Sequence, residues 1–325
     1  MKKALCILLS VLCAILLFGC QKAEEPSDGE GSERVFRVGV VQLVQHEALD
    51  AATQGFIDAL NQQLGETHVK VDVQNASGEP TNCTTIVNAF VSTNVDLIMA
   101  NATPALQAAA SATSDIPILG TSVTDYASAL EVDNWNGTVG GNVSGTSDLA
   151  PLDSQAAMIK ELFPEAKTVG IIFCSSESNS AYQVEVISKE LKELGFEVKE
   201  FSFTDTNDIA SVTQNACESS DVIFIPTDNT AASNTEAIAN IVLPAGVPVV
   251  SGEEGLARGC GVATLSISYY DLGFATGLQA AKILTGEADV STMPIEYATE
   301  FTKKFNEENC NALNVAVSEE YQPLD

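Results

Sequence analysis

The chain predicts an α/β protein of two similar lobes, each a parallel sheet flanked by helices, joined by a hinge. Three observations carry this. Strand-like and helix-like segments alternate, the mark of parallel sheets with right-handed crossovers. The order strand–helix–strand–helix–strand–helix–strand occurs twice. Two apolar runs also share one design: Asp96-Leu97-Ile98-Met99-Ala100-Asn101-Ala102-Thr103-Pro104 and Asp221-Val222-Ile223-Phe224-Ile225-Pro226-Thr227-Asp228-Asn229-Thr230. Each opens with strand formers and gives way to small polar side chains. Such a run reads as a strand buried on both faces. Polar groups past its carboxyl end stand where open α/β sheets bind ligands. Two such ends predict two lobes facing one cleft.

In the first repeat, residues 36–41 form a strand and residues 42–47 the loop after it. Residues 48–64 read as a helix, because Leu49, Ala52, Phe56, Ile57 and Leu60 recur at helical spacing and Gly65 stops the run. Residues 69–73 alternate as a strand. A helix over 80–91, a strand over 96–99, an Ala-rich helix over 104–112 and a strand over 116–120 complete the unit. Residues 126–152 are rich in Gly, Asn, Ser and Thr, so they read as a lobe crossing and a loop.

The second repeat opens with a helix over 153–163. Strands over 167–173, 196–201, 221–225 and 247–252 alternate with helices over 182–194, 209–216 and 231–241. After Gly252 the chain is expected to cross back. Residues 269–284 have helical spacing, 293–301 read as a strand and 307–314 as a short helix. This assigns 35–125 plus about 266–290 to the first lobe. It assigns 126–265 plus about 291–325 to the second.

The leader is separate from the fold. Lys2 and Lys3 precede an apolar run over 4–18, too short to be read as a membrane span and placed like an export signal. Leu17-Phe18-Gly19-Cys20 resembles a bacterial lipobox, which implies that residues 1–19 are removed and Cys20 is acylated. An ordinary signal peptide or an uncleaved anchor is the alternative. Residues 20–34 lack large apolar side chains beyond the cysteine and read as a disordered tether.

At 325 residues the chain is long enough for two cores. Its formal net charge of −29 excludes general binding of nucleic acid or anionic lipid. Cys83, Cys174, Cys217, Cys260 and Cys310 remain after the leader and Cys20. An odd, widely spaced set implies no complete disulfide framework. Without CxxC, a thiolate metal site has no basis. There is no GxxxxGK[ST], HExxH or GxSxG, so no enzyme, cofactor or metal is expected.

The candidate ligand contacts are the polar residues at predicted strand ends. The Ser175-Ser176-Glu177-Ser178-Asn179-Ser180 loop opens a helix, and its donors suit an anionic oxygen; helix capping by Ser178 or Ser180 is the alternative. Asp228, between Thr227 and Asn229, suits a ligand ammonium, or caps the next helix. Thr103 is its neutral counterpart. Gln42, Gln45 and His46 occupy the first loop. Thr146, in Gly145-Thr146-Ser147-Asp148, lies in a further polar loop. Glu253 flanks the cleft or the hinge.

The set Val38-Gly39-Val40 with Gln42 and His46, Gly145-Thr146-Ser147-Asp148, Val169-Gly170-Ile171-Ile172 leading to Ser176-Glu177-Ser178-Asn179-Ser180, Pro226-Thr227-Asp228-Asn229 and Tyr269-Tyr270-Asp271-Leu272-Gly273 resembles one family. It is similar to the lipoprotein substrate-binding proteins of ABC transporters of the tryptophan-import type, over roughly residues 36 to 317. The resemblance implies the type I periplasmic-binding-protein fold. It implies capture of an amino acid, often aromatic, between the lobes and delivery to a membrane permease driven by a cytoplasmic ATPase. It further implies that Ser176, Asn179 and Ser180 hold the carboxylate and Asp228 the amine. A nucleoside or other small solute, or service to a membrane sensor, is the alternative use of the fold. A transcription regulator is disfavoured by the export signal and by the lack of a basic DNA-binding segment.

Overall fold

The computed structural model describes residues 34–324. The leader and Cys20 lie outside the described residues. The first lobe begins with β1 (Phe36–Gln42), α1 (Glu47–Leu64), β2 (Val69–Asn75), α2 (Pro80–Ser92), β3 (Leu97–Asn101), α3 (Thr103–Ala112), β4 (Ile118–Val123), α4 (Tyr126–Ala129) and β5 (Val143–Ser147). The second takes α5 (Leu152–Leu162), β6 (Thr168–Cys174), α6 (Ser178–Glu193), β7 (Glu197–Phe203), α7 (Ile209–Cys217), β8 (Val222–Ile225), α8 (Asn229–Ala232), α9 (Thr235–Ala245), β9 (Val249–Ser251), α10 (Glu254–Gly259) and β10 (Ala263–Ser266). The chain returns to the first lobe with α11 (Tyr269–Leu284), a 3-10 turn (Val290–Thr292) and β11 (Glu296–Tyr297). It ends in the second with β12 (Thr302–Phe305), α12 (Glu307–Leu313) and β13 (Gln322–Pro323).

The first sheet runs β11-β5-β4-β3-β1-β2, with every pairing parallel. The second runs β13-β12-β10-β9-β8-β6-β7, and only the β10–β12 pairing is antiparallel. Every residue of β3, β4 and β8 is buried, as near-continuous apolar runs require when helices cover both faces. One face of the first sheet packs on α2 and α3 through Val87, Phe90, Ala105 and Leu106. The other packs on α1 and α11 through Phe56, Leu60 and Ala280. The second sheet is covered by α5 and α6 on one face and by α7, α9 and α10 on the other.

The α1–α11 contact is a backbone-to-backbone approach. A Cβ added at Gly273 would lie 1.9 Å from the carbonyl oxygen of Ala52, and one at Gly55 2.1 Å from that of Tyr270. Only glycine allows helices so close.

The lobe boundaries differ from expectation at two strands. Residues 143–147 and 296–297 were expected in the second lobe; β5 pairs with β4, and β11 with β5, in the first sheet. The reason is local. A Cβ on Gly145 would meet Gly120 O at 2.1 Å and the Tyr126 hydroxyl at 2.5 Å. This strand must be built from small residues, so its composition imitates a turn. The chain also stays in the second lobe past Gly252, through α10 and β10. It crosses between lobes three times: from β5 to α5, from β10 to α11, and from β11 to β12. The helix expected over 231–241 is divided between α8 and α9. The strand expected over 293–301 shortens to β11. The α6 helix starts at Ser178, so Ser178, Asn179 and Ser180 belong to its first turn rather than to the loop.

The five cysteines among the described residues are free, four of them buried.

Candidate functional site

The carboxyl ends of the two sheets face each other across a seam. His46, between β1 and α1, places Nε2 3.3 Å from Asn229 Oδ1 at the start of α8. Beside it, Glu47 pairs with Arg258 of α10. On the side away from the crossings, a cavity of about 590 Å³ is lined by Pro80, Thr84, Asn88, Pro104 and Gln107 of the first lobe and by Ser176 and Ser178 of the second.

The first-lobe crown is strained. Ala102 follows β3 at φ 91° and Ser122 lies near the end of β4 at φ 54°. Non-glycine residues in such conformations cost about 1–3 kcal/mol each and concentrate at functional sites. Thr103 and Ser122 are 2% and 6% exposed, and neither hydroxyl has a hydrogen-bond partner in the protein. The same is true of His46 Nδ1 and of Asn179 Oδ1 from the second lobe. Asn101 Oδ1, at the end of β3, is a fifth such atom. Buried polar atoms are almost always paired, so this group of unpaired ones at facing strand ends marks the candidate site.

Behind the second-lobe crown lie two buried carboxylates. Glu177 Oε1 accepts from the Thr230 N–H at 2.8 Å and its hydroxyl at 2.7 Å. Glu177 Oε2 accepts from Asn179 Nδ2 at 3.1 Å, Asn229 N at 3.1 Å and Asn229 Nδ2 at 2.7 Å. Asp228 Oδ2 accepts from Cys174 N at 2.6 Å and from the Ser180 hydroxyl at 2.8 Å, and its Oδ1 from Ala231 N at 2.8 Å. Burial, and then the charge of Glu177, push the Asp228 carboxyl up to about 7.

These contacts reassign several expected roles. Asp228 takes the capping alternative, at the start of α8. The loop donors are spent on the chain's own anions: Ser180 on Asp228, and the Asn179 amide on Glu177 and the Thr227 carbonyl. The Ser176 hydroxyl donates to Thr204 O, although Ser176 also lines the cavity. Gln42 works inside the first lobe, donating to Asp50 and to the Val44 carbonyl and accepting from Thr53. Thr146 pairs with Thr121 and Thr276 and lines a different cavity, of about 400 Å³, near the crossings. Thr227 is tied to Gln183 through its backbone. Glu253 caps α10 by accepting from Gly255 N and Leu256 N, and burial pushes it up to about 7. His46, Thr103, Asn179 and Asn229 remain at the seam. Trp135 packs against the first-lobe core.

Sequence reasoning passed over Glu177 and Ser122 as site residues. Ser122 carried a usable signal, a hydroxyl at a strand end beside the Thr103 strand. Glu177 carried a contradictory one, an acid inside a loop read as anion-binding.

Residues 37–322 match the model for ABC transporter substrate binding proteins, and the chain belongs to that family. It is therefore a solute-binding protein of an ABC transporter, extracytoplasmic, and not an enzyme. A curated relative, the tyrosine-binding protein of Clostridioides difficile (strain R20291), is 33% identical over 322 residues, covering 97% of this chain and 93% of that one. Among solved structures, an ABC domain in complex with L-Trp from Streptococcus pneumonia is 32% identical, with a TM-score of 0.84 over 88% of this chain and 96% of that one. A ligand-free, open substrate binding protein from Clostridium difficile is 35% identical, with a TM-score of 0.69 over 89% of this chain and 99% of that one. No helix among the described residues is long and apolar enough to cross a membrane.

Proposed function

We propose that this protein captures an aromatic L-amino acid between its lobes and delivers it to a membrane permease powered by a cytoplasmic ATPase, held at the outer face of the cytoplasmic membrane by acylated Cys20. The supporting observation is the set of unpaired buried atoms at the seam, Thr103 Oγ1, Ser122 Oγ, His46 Nδ1 and Asn179 Oδ1. These are hydroxyls and acceptors on opposite lobes, which suits a zwitterion lying across the seam. Thr103 also begins α3, so its hydroxyl stands at a helix start, the favourable end for a carboxylate, and Ser122 lies near the end of the neighbouring strand β4. The amine then lies toward the acceptors, Asn179 Oδ1 and His46 Nδ1. The two relatives named for tyrosine and L-Trp favour an aromatic side chain. A zwitterion carries no net charge, so the acidic surface does not repel it.

Isothermal titration with L-tryptophan, L-tyrosine, L-leucine and adenosine tests this reading. Saturable 1:1 binding of at least one aromatic amino acid, much tighter than of leucine, is expected. Binding of adenosine alone, or of none of the four, rejects it. The anchor is tested separately. Full-length protein should fractionate with membranes, and Cys20→Ser should release no lipidated form; unchanged lipid labelling of that variant would remove the assignment of Cys20.

A further inference from the structure

Glu177 gives the unpaired atoms of the seam a definite polarity. Two of its five donors are backbone N–H groups, of Asn229 and Thr230, and two are the amide NH₂ groups of Asn179 and Asn229. An amide that turns its NH₂ toward a carboxylate must turn its C=O away. The Asn179 NH₂ also meets the Thr227 carbonyl at 3.2 Å, a second group that can only accept. Asn179 Oδ1 is therefore a fixed acceptor, buried and unpaired. The Asn229 amide is held the same way, and its Oδ1 reaches His46 Nε2 across the seam. That bond requires the proton on Nε2. In the neutral ring Nδ1 is then a bare lone pair, and it too is buried and unpaired. Burial lowers the pKa of His46, against the opposing influences of Asn229, Glu177 and Asp50, so the ring is neutral near pH 7.

We infer that Asn179 Oδ1 and His46 Nδ1 are a pair of acceptors, one from each lobe, for the amine of the solute, and that Glu177 is the positioning residue that fixes their polarity from behind. This rests on the amino-acid reading above. The pair discriminates by chemistry: an ammonium supplies donors to both atoms, whereas the same acid without its amine leaves both buried and unpaired. Because the two acceptors come from different lobes, the amine also bridges them, joining recognition to closure. Glu177 stands one hydrogen bond behind Asn179 and, through Asn229, two behind His46, so neutral atoms touch the ammonium while a carboxylate backs them.

The experiment compares L-tryptophan with 3-(indol-3-yl)propanoate, which differs by the amine alone, on the full-length protein by titration calorimetry. Two variants are used. Glu177→Gln keeps the shape but cannot accept from all five donors, so the amides are freed to turn. His46→Gln reaches the Nε2 position and keeps a link to Asn229 while removing Nδ1. The wild type is expected to prefer the amino acid by roughly 10- to 100-fold, the range for leaving buried groups unpaired. Each variant should lose about tenfold or more of that ratio, with propanoate affinity changed less than about threefold. Equal loss for both ligands would show a merely structural role and overturn the inference, as would a ratio unchanged in both variants. If Glu177→Gln fails to fold, the ratio in His46→Gln decides. A wild type that binds no aromatic amino acid rejects the amino-acid reading itself, a result distinguishable from binding with an unaltered ratio.

Discussion

At the scale of the residue, Asp228 shows how an expected contact becomes a support. Its carboxylate is 1% exposed and takes three donors from its own lobe. Its pKa, raised to about 7 by burial and by Glu177, stands far above the ordinary 3.8. The folded state therefore holds a proton that the unfolded state releases. The stabilising effect is complete below about pH 4 and is lost as pH rises through about 7. Asp148, pushed to about 6, and Glu253, pushed to about 7, act in the same direction, both through burial. We expect Tm to fall between pH 5 and pH 8. Asp228→Asn should be less stable at pH 8 by about 1–3 kcal/mol, because its NH₂ must oppose either the Cys174 or the Ala231 N–H, and its Tm should fall less steeply with pH. Scanning calorimetry across that range checks both; an equally steep decline in the variant would refute the account. The sequence displayed both options for Asp228, contact and cap. The cap itself is local, to Ala231 N; what the sequence could not show is that Cys174 and Ser180, both remote in the chain, occupy the other carboxylate oxygen.

At the scale of the element, legibility followed side-chain size. The apolar strands β1, β3, β6 and β8 and the helices α1 and α11 were readable, because burial on both faces or on one stripe writes a periodic pattern. The α11 helix matches its expected bounds, Tyr269–Leu284. The β5 strand was hidden, since Gly145 must leave room for Gly120 and Tyr126. The start of α6 was hidden for another reason: Ser178, Asn179 and Ser180 look like loop residues, yet they occupy a first helical turn. Glycine matters equally where helices touch. Gly273→Ala should force α1 and α11 apart, because its Cβ would meet the Ala52 carbonyl oxygen at 1.9 Å. A loss of about 1–3 kcal/mol is expected, read as a Tm lower by several degrees. A Tm within about one degree of wild type would mean that the two helices separate without cost.

At the scale of the whole molecule, the duplicated order of elements announced two lobes and a cleft, and the fold and family agree with that reading. The crossings were less legible. They depend on short strands, β5, β10 and β11, whose partners lie far away in sequence. The polarity of the seam was not legible at all, since it is set by two amides whose orientation depends on one buried acid. The three crossings carry a mechanical consequence. Two connections would define an axis yet allow the bodies to twist about each other; a third pins that freedom. Opening and shutting is then expected to follow one coordinate, and two different interlobe pairs of spin labels should change distance together when ligand is added; pairs that move independently would refute this.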